Sequence, residues 1–128
     1  MTIDGDDDLQ GLRRAGRAVA EARDAMLAAA EPGVTTADLD AVGRSVLRAH
    51  GARSAPQLAV GFPAATCVSL NDEAAHGIPS PTRVLRAGDL VNVDVSAELD
   101  GYWADTGASA PVGAVAPVAA RLLAATRE

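Results

Sequence analysis

The sequence predicts an α+β chain in which two amphipathic helices precede an antiparallel sheet, and three observations carry that expectation. Apolar residues recur at helical spacing from Leu9 onward, a strict period of two begins at Val91, and the pair Asp100-Gly101 falls where that alternation stops.

Leu12, Ala15, Val19, Ala22, Met26 and Ala29 are separated alternately by three and four residues, which places them on one face of a helix that Pro32-Gly33 ends. Ahead of it, residues 1–8 contain the acidic run Asp4-Gly5-Asp6-Asp7-Asp8 and are expected to be a disordered leader. Thr35 with Asp38 three residues on has the form of a capping box, Leu39, Val42 and Val46 make a stripe, and Gly51 marks the exit of the second helix. His50, in its last turn, is expected to meet free carbonyls and the negative end of the helix dipole.

Residues 52–65 hold Pro56, Gly61 and Pro63 without a sustained period, so they read as a loop leading into a short strand near Thr66 to Leu70. A second loop runs from Asn71 to Thr82, and Arg86-Ala87-Gly88-Asp89 is a turn. Val91, Val93, Val95 and Ala97 then alternate with Asn92, Asp94, Ser96 and Glu98, the pattern of a half-buried strand. Asp100-Gly101 suits a two-residue type I′ turn, whose central residues both need positive φ, so a partner strand is expected from Tyr102 to about Ser109. Beyond Pro111 and Pro117, the sequence from Val118 to Glu128 turns helical again.

A chain of 128 residues fits one domain. With 48% hydrophobic residues and only Phe62, Tyr102 and Trp103 as aromatics, its core has to be built from small aliphatic side chains, which brings helices close together. The net charge of -6 and the lack of any basic stripe among the eleven arginines argue against direct binding to nucleic acid. No signal-peptide pattern and no membrane-spanning run are present, so a soluble, cytoplasmic protein without a membrane partner is expected. The single cysteine, Cys67, excludes an internal disulfide.

A two-residue turn puts Leu99 opposite Tyr102, Ser96 opposite Asp105 and Asp94 opposite Gly107. Asp94 and Asp105 then share one face as diagonal neighbours, roughly 7–8 Å apart along the backbone. Burial of the valine face fixes this register, because a slip of one residue turns every side chain over. Two carboxylates so held repel each other unless a cation lies between them, and a divalent metal ion is the usual solution. The pattern alone leaves open a plainer reading, with Asp105 a solvated strand residue and Asp94 bonded to a nearby backbone amide.

The segment CVSLNDEAAHGIP, Cys67 to Pro79, resembles the cysteine-to-HGIP stretch of bacterial-type methionine aminopeptidases. VNVDVSAELDGYWADTG, Val91 to Gly107, follows it as that family's metal-strand motif does, with Asp94, Gly101, Asp105 and Thr106 at matching positions. The resemblance runs from about Leu12 to roughly Ser109. It implies the pita-bread fold, with residues 1–128 forming its N-terminal half, and removal of N-terminal methionine from peptides and nascent proteins at a centre of two divalent metal ions (Co, Mn, Fe or Zn). Asp94 and Asp105 resemble the first two metal ligands, and His76 the histidine that contacts the substrate's scissile amide without ligating the metal. Phe62 and Cys67 resemble substrate-binding positions around the first side chain. Phe62 stands where the family usually has tyrosine, and Ala59 where a second pocket aromatic is common.

The family's remaining ligands, one histidine and two glutamates, belong to a second half that these residues do not include. A missing C-terminal half is therefore an expected partner, and the hairpin is expected to present an unpaired sheet edge. Two further readings stand beside the leading one: a catalytically dead fragment of the same fold, and a sister enzyme such as an Xaa-Pro peptidase or creatine hydrolase.

Overall fold

The alanine-rich periodic segment folds as α1 (Asp6–Ala28), and its buried face of Gly11, Ala15, Ala18, Val19, Ala22 and Met26 follows the spacing of the sequence. The computed structural model describes residues 3–127. Within them the expected acidic leader is shorter than residues 1–8. Asp6, Asp7 and Asp8 form the first turn of α1, where carboxylates meet the positive end of the helix dipole. Asp8 also accepts a hydrogen bond from the Tyr102 hydroxyl at 2.8 Å. Residues 1 and 2 of that stretch lie outside the described residues.

The capping box forms at the start of α2 (Thr36–Ala49): the Asp38 amide donates to Thr35 Oγ1 at 3.1 Å, and the Thr35 amide donates to the Asp38 carboxylate at 2.9 Å. Its deepest apolar positions are Leu39, Gly43 and Leu47, while Val42 and Val46 are only partly buried. Close helix packing explains this rotation of the stripe. A Cβ on Gly43 would lie 2.5 Å from the sulfur of Met26, so α1 and α2 meet across the glycine. His50 departs from expectation as well. Its Nε2 lies 2.6 Å from Glu21 Oε2 on α1, and the helix end is closed by backbone amides instead.

Residues 52–65 are not simply a loop. They contain β1 (Arg53–Ser54) and α3 (Ala55–Val60). The six-residue helix is too short to show a period, yet its signals are in the sequence: Ser54 Oγ accepts from the Gln57 amide, Pro56 sits in the first turn, and Gly61 closes the helix at φ 65°. Next come β2 (Cys67–Leu70), β3 (Leu90–Leu99), β4 (Tyr102–Pro111) and α4 (Pro117–Ala125).

β3 is the central strand. β4 pairs along its full length on one edge, while β1 and β2 share the other, all antiparallel. The chain leaves β3 where Ser54 faces Ala97 and rejoins it where Cys67 faces Asp94, so α3 and the residues after it are an excursion from one interrupted edge strand. Asp100 and Gly101 have φ of 54° and 87°, as a type I′ turn requires. On the helix side, Val91, Val93, Val95 and Ala97 are fully buried with Val19, Met26 and Leu39 in one core. Among the described residues, β4 pairs with β3 alone.

Glu98 ties three elements together from the opposite face. Buried, it receives Arg53 Nε of β1 at 2.7 Å and the Gly101 amide of the hairpin turn at 2.5 Å. The Arg53 hydrogen bond, then that amide, hold its carboxyl below the ordinary glutamate value. A depressed folded value means that the stabilisation is complete above the unfolded value and is lost as pH falls through the folded one. Glu98→Gln should therefore lower the melting temperature at neutral pH, and the gap to the parent should close as pH falls through the acid range. Thermal unfolding at several pH values checks this; a gap that persists at low pH contradicts the charge-based account.

Candidate metal centre on the hairpin

The turn delivers the predicted register, with Asp94 opposite Gly107 and Ser96 opposite Asp105. On the other edge Cys67 faces Asp94, so Cys67, Asp94 and Gly107 form a row across three strands with Asp105 diagonal to its centre. A Cβ on Gly107 would make ordinary contact with the Val93 carbonyl oxygen at 3.4 Å and with Asp94 Cβ at 4.0 Å. Ser96 Oγ donates to Asp105 Oδ1.

Asp94 has no backbone amide donor among the described residues, contrary to the plainer reading; its neighbour is the other carboxyl. Burial raises its pKa above the ordinary aspartate value, the charge of Asp105 and a hydrogen bond with it add to the rise, and His76 opposes it. A proton shared where the two carboxyl groups meet would relieve their repulsion. A cation bound there would take over its role, and hard oxygen donors suit a divalent ion. No group of three or more histidine, cysteine, aspartate or glutamate residues that could hold a metal occurs among the described residues.

His76 lies in the loop after β2 with φ of 57°, in the left-handed region that non-glycine residues seldom adopt. Gly77 clamps that loop to the sheet: its amide donates to Ser69 Oγ at 3.0 Å, and its carbonyl accepts from the Val68 amide at 3.0 Å. The closeness requires glycine, because a Cβ would lie 2.1 Å from the Val68 carbonyl oxygen. The exposed His76 is thereby held within electrostatic reach of Asp94.

Three contributors were not picked out from the sequence. Asp40, only 5% exposed, accepts both the amide and the hydroxyl of Thr66 at 2.8 Å and the Arg44 guanidinium at 2.9 Å, fixing the residue before Cys67. Spaced i,i+4, Asp40 and Arg44 resemble an ordinary surface pair. Arg23 donates to Thr106 Oγ1 at 2.8 Å and ties β4 to α1, so Thr106 serves the helix face and not the carboxylate face. Trp103, half-exposed, shares the parity of Asp105, which was the available signal. With Ala55, Pro56 and Ala59 of α3, and with Ser96 and Asp105, it lines a trough of about 410 Å³. Phe62 and Cys67 do not line that trough: Phe62 follows α3 and closes it with its amide on the Pro56 carbonyl, and Cys67 is buried in β2.

An antiparallel hairpin that brings two carboxylates together on the face turned away from the helices defines a candidate cation site. The pattern of metallopeptidase family M24 matches residues 10–128, and the chain belongs to that family. It is 53% identical over 113 residues to methionine aminopeptidase 2 of Bacillus subtilis, an alignment that takes in 88% of this chain and 45% of that protein. The crystal structure of methionine aminopeptidase from Rickettsia prowazekii superposes with a TM-score of 0.91 at 36% identity, over 99% of this chain and 51% of the other. An Xaa-Pro dipeptidase from Bacillus anthracis, at 23% identity and a TM-score of 0.75 over 93% of this chain and 32% of its own, shares the fold. The chain spans about half the length of the methionine aminopeptidases it matches.

Two expectations follow. Gly77→Ala should destabilise the chain by about 1–3 kcal/mol, because the added methyl meets backbone that cannot move aside; an unchanged urea midpoint would count against the clamp. Cys67, whose thiol is pushed above its ordinary value by burial and then by Asp94, Asp40 and Asp105, reports on the carboxylate charge. Asp94→Asn should shift the pH profile of Cys67 alkylation to lower pH. A profile that stays in place would show that the Asp94 charge does not reach the thiol.

Proposed function

We propose that this chain provides half of the catalytic centre of a cytoplasmic metalloaminopeptidase that removes N-terminal methionine from peptides and nascent proteins with the help of two divalent metal ions. The observation that carries this reading is the meeting of Asp94 and Asp105 on a hairpin whose register is fixed, in a chain of family M24. The 53% identity to a methionine aminopeptidase favours methionine as the residue removed.

Asp94 and Asp105 are the residues that would hold metal. Bound there, divalent ions supply the Lewis acidity that polarises a peptide carbonyl and lowers the pKa of water. His76, in the loop held by the Gly77 clamp, would donate a hydrogen bond to the scissile amide as charge develops on it. Cys67 and Phe62 contribute apolar, polarisable surface toward the substrate's first side chain, a surface suited to a thioether. Asp40 sets the position of Cys67 through Thr66.

A second reading, in which these residues are catalytically silent by themselves, is favoured by the lack of any group of three or more candidate metal donors among the described residues, since a catalytic site needs enough ligands to fix its geometry. The two readings make different predictions. In the protein at its full natural length, Asp94→Ala should reduce hydrolysis of Met-Ala to background without unfolding the chain; substantial residual turnover refutes the metal-ligand role. Preference for Xaa-Pro peptides over Met-Ala would move the assignment to the sister enzymes. Residues 1–128 alone should bind Mn²⁺ weakly in isothermal titration, and tight binding would rule out the silent reading.

A further inference from the structure

The loop between β2 and β3 reaches His76 through a span that does not hold itself in place. Ala74, Ala75 and His76 are exposed, and their backbone groups make no hydrogen bond to other backbone among the described residues. Where they lie is set by the residues on either side. After them comes the Gly77 clamp. Before them comes Glu73, whose Oε2 accepts the Leu70 amide at 2.8 Å and whose Oε1 accepts Arg83 Nη1 at 2.5 Å.

The Glu73 amide also closes on the Leu70 carbonyl at 3.1 Å, so the chain turns back sharply at the end of β2. Arg83 is itself fixed: its carbonyl accepts the Thr36 amide at 2.9 Å, and the next residue, Val84, bridges to Thr35. Glu73 therefore joins the outgoing limb of the loop to the returning limb, and through Arg83 to the start of α2. The Arg83 hydrogen bond, then the Leu70 amide, hold its carboxyl below the ordinary glutamate value, so it is charged at neutral pH. Both partners are partly exposed, and an ion pair in that setting adds little to global stability. Its effect is local. A short span anchored at both ends has few conformations, and releasing one end restores the lost freedom.

We propose that Glu73 is a positioning residue for His76: by clipping Leu70 to Arg83 it fixes the end of the Ala74–His76 span opposite the Gly77 clamp. What His76 does is taken from the aminopeptidase reading, and how it is held follows from the hydrogen bonds. A histidine that bonds to charge developing on the scissile amide acts in the transition state and not in substrate binding. Loosening it therefore lowers kcat and spares KM.

The test has two arms, both on the protein at its full natural length. The first is amide exchange and needs no turnover. Glu73→Ala should speed exchange at Gly77 and Val68, whose amides make the clamp, by roughly tenfold, and leave Val93 and Val95 in the sheet unchanged; Glu73→Gln should do so less. The second arm is Met-Ala hydrolysis. Glu73→Gln keeps an acceptor for the Leu70 amide but loses the Arg83 ion pair, and should lower kcat roughly three- to tenfold with KM unchanged. Arg83→Ala should match it, and Arg83→Lys should recover most of the rate. Asp72→Asn removes the neighbouring exposed charge and should change nothing. In a His76→Ala background Glu73→Gln should have no further effect, because a residue that acts through His76 has nothing left to position. Equal losses in both backgrounds, an unchanged kcat, or clamp amides that exchange at the parent rate overturn the proposal. A parent that does not hydrolyse Met-Ala sinks the aminopeptidase reading instead, and the exchange arm still decides whether Glu73 braces the loop.

Discussion

The candidate site depends on the pairing of β3 with β4, and two independent forces set that pairing. The Asp100-Gly101 turn adopts the positive φ angles that a two-residue link demands, which aligns Leu99 with Tyr102. Burial of Val91, Val93, Val95 and Ala97 against the helices then selects the same alignment, with each fully buried valine worth about 1.5–3 kcal/mol. A slip of one residue would expose that row and drive Asp94 into the core. The position of the two carboxylates is therefore a by-product of hydrophobic burial on the other side of the strand.

How each acidic group is compensated separates framework from chemistry. Glu98 and Asp40 are buried, and each has an arginine and a backbone amide as donors. Groups satisfied in this manner hold elements in place: Glu98 joins β1 to the hairpin turn, and Asp40 joins α2 to the start of β2. Asp94 faces a second carboxyl, and its pKa rises where that of Glu98 falls. An arrangement that the fold leaves electrostatically unfavourable, next to others it has satisfied fully, is a mark of a functional position.

The long-period features were legible in the sequence because each repeats its signal several times. α1, α2 after its capping box, and the β3–β4 hairpin fall close to where periodicity and turn chemistry put them, and the Ser96–Asp105 register follows from the turn alone. α3 was missed because six residues give no repeat, although Ser54, Pro56 and Gly61 mark its two ends. The role of Asp40 was invisible for a different reason: its partner Thr66 lies 26 residues away, and nothing local distinguishes a buried i,i+4 pair from a solvated one. Thr106 was legible as part of a motif, and strand parity turns it away from Asp105, but its partner was not legible, since the bond to Arg23 spans 83 residues. The burial of Glu98 likewise required Arg53, contributed by a strand of only two residues.

A proton and a metal ion compete for the point where Asp94 and Asp105 meet. With its pKa raised by burial and by Asp105, Asp94 retains a proton to higher pH than an ordinary aspartate, and the retained proton relieves the repulsion that two ionised groups would suffer. Where that proton is retained a divalent ion has to displace it, so affinity of the pair for the ion climbs as pH rises. Any further negative ligand brought near the pair raises the proton affinity as well as the attraction for the metal, whereas a positive group lowers both. The sheet geometry therefore determines where an ion sits, and the charge around the pair determines at what acidity the ion prevails over the proton.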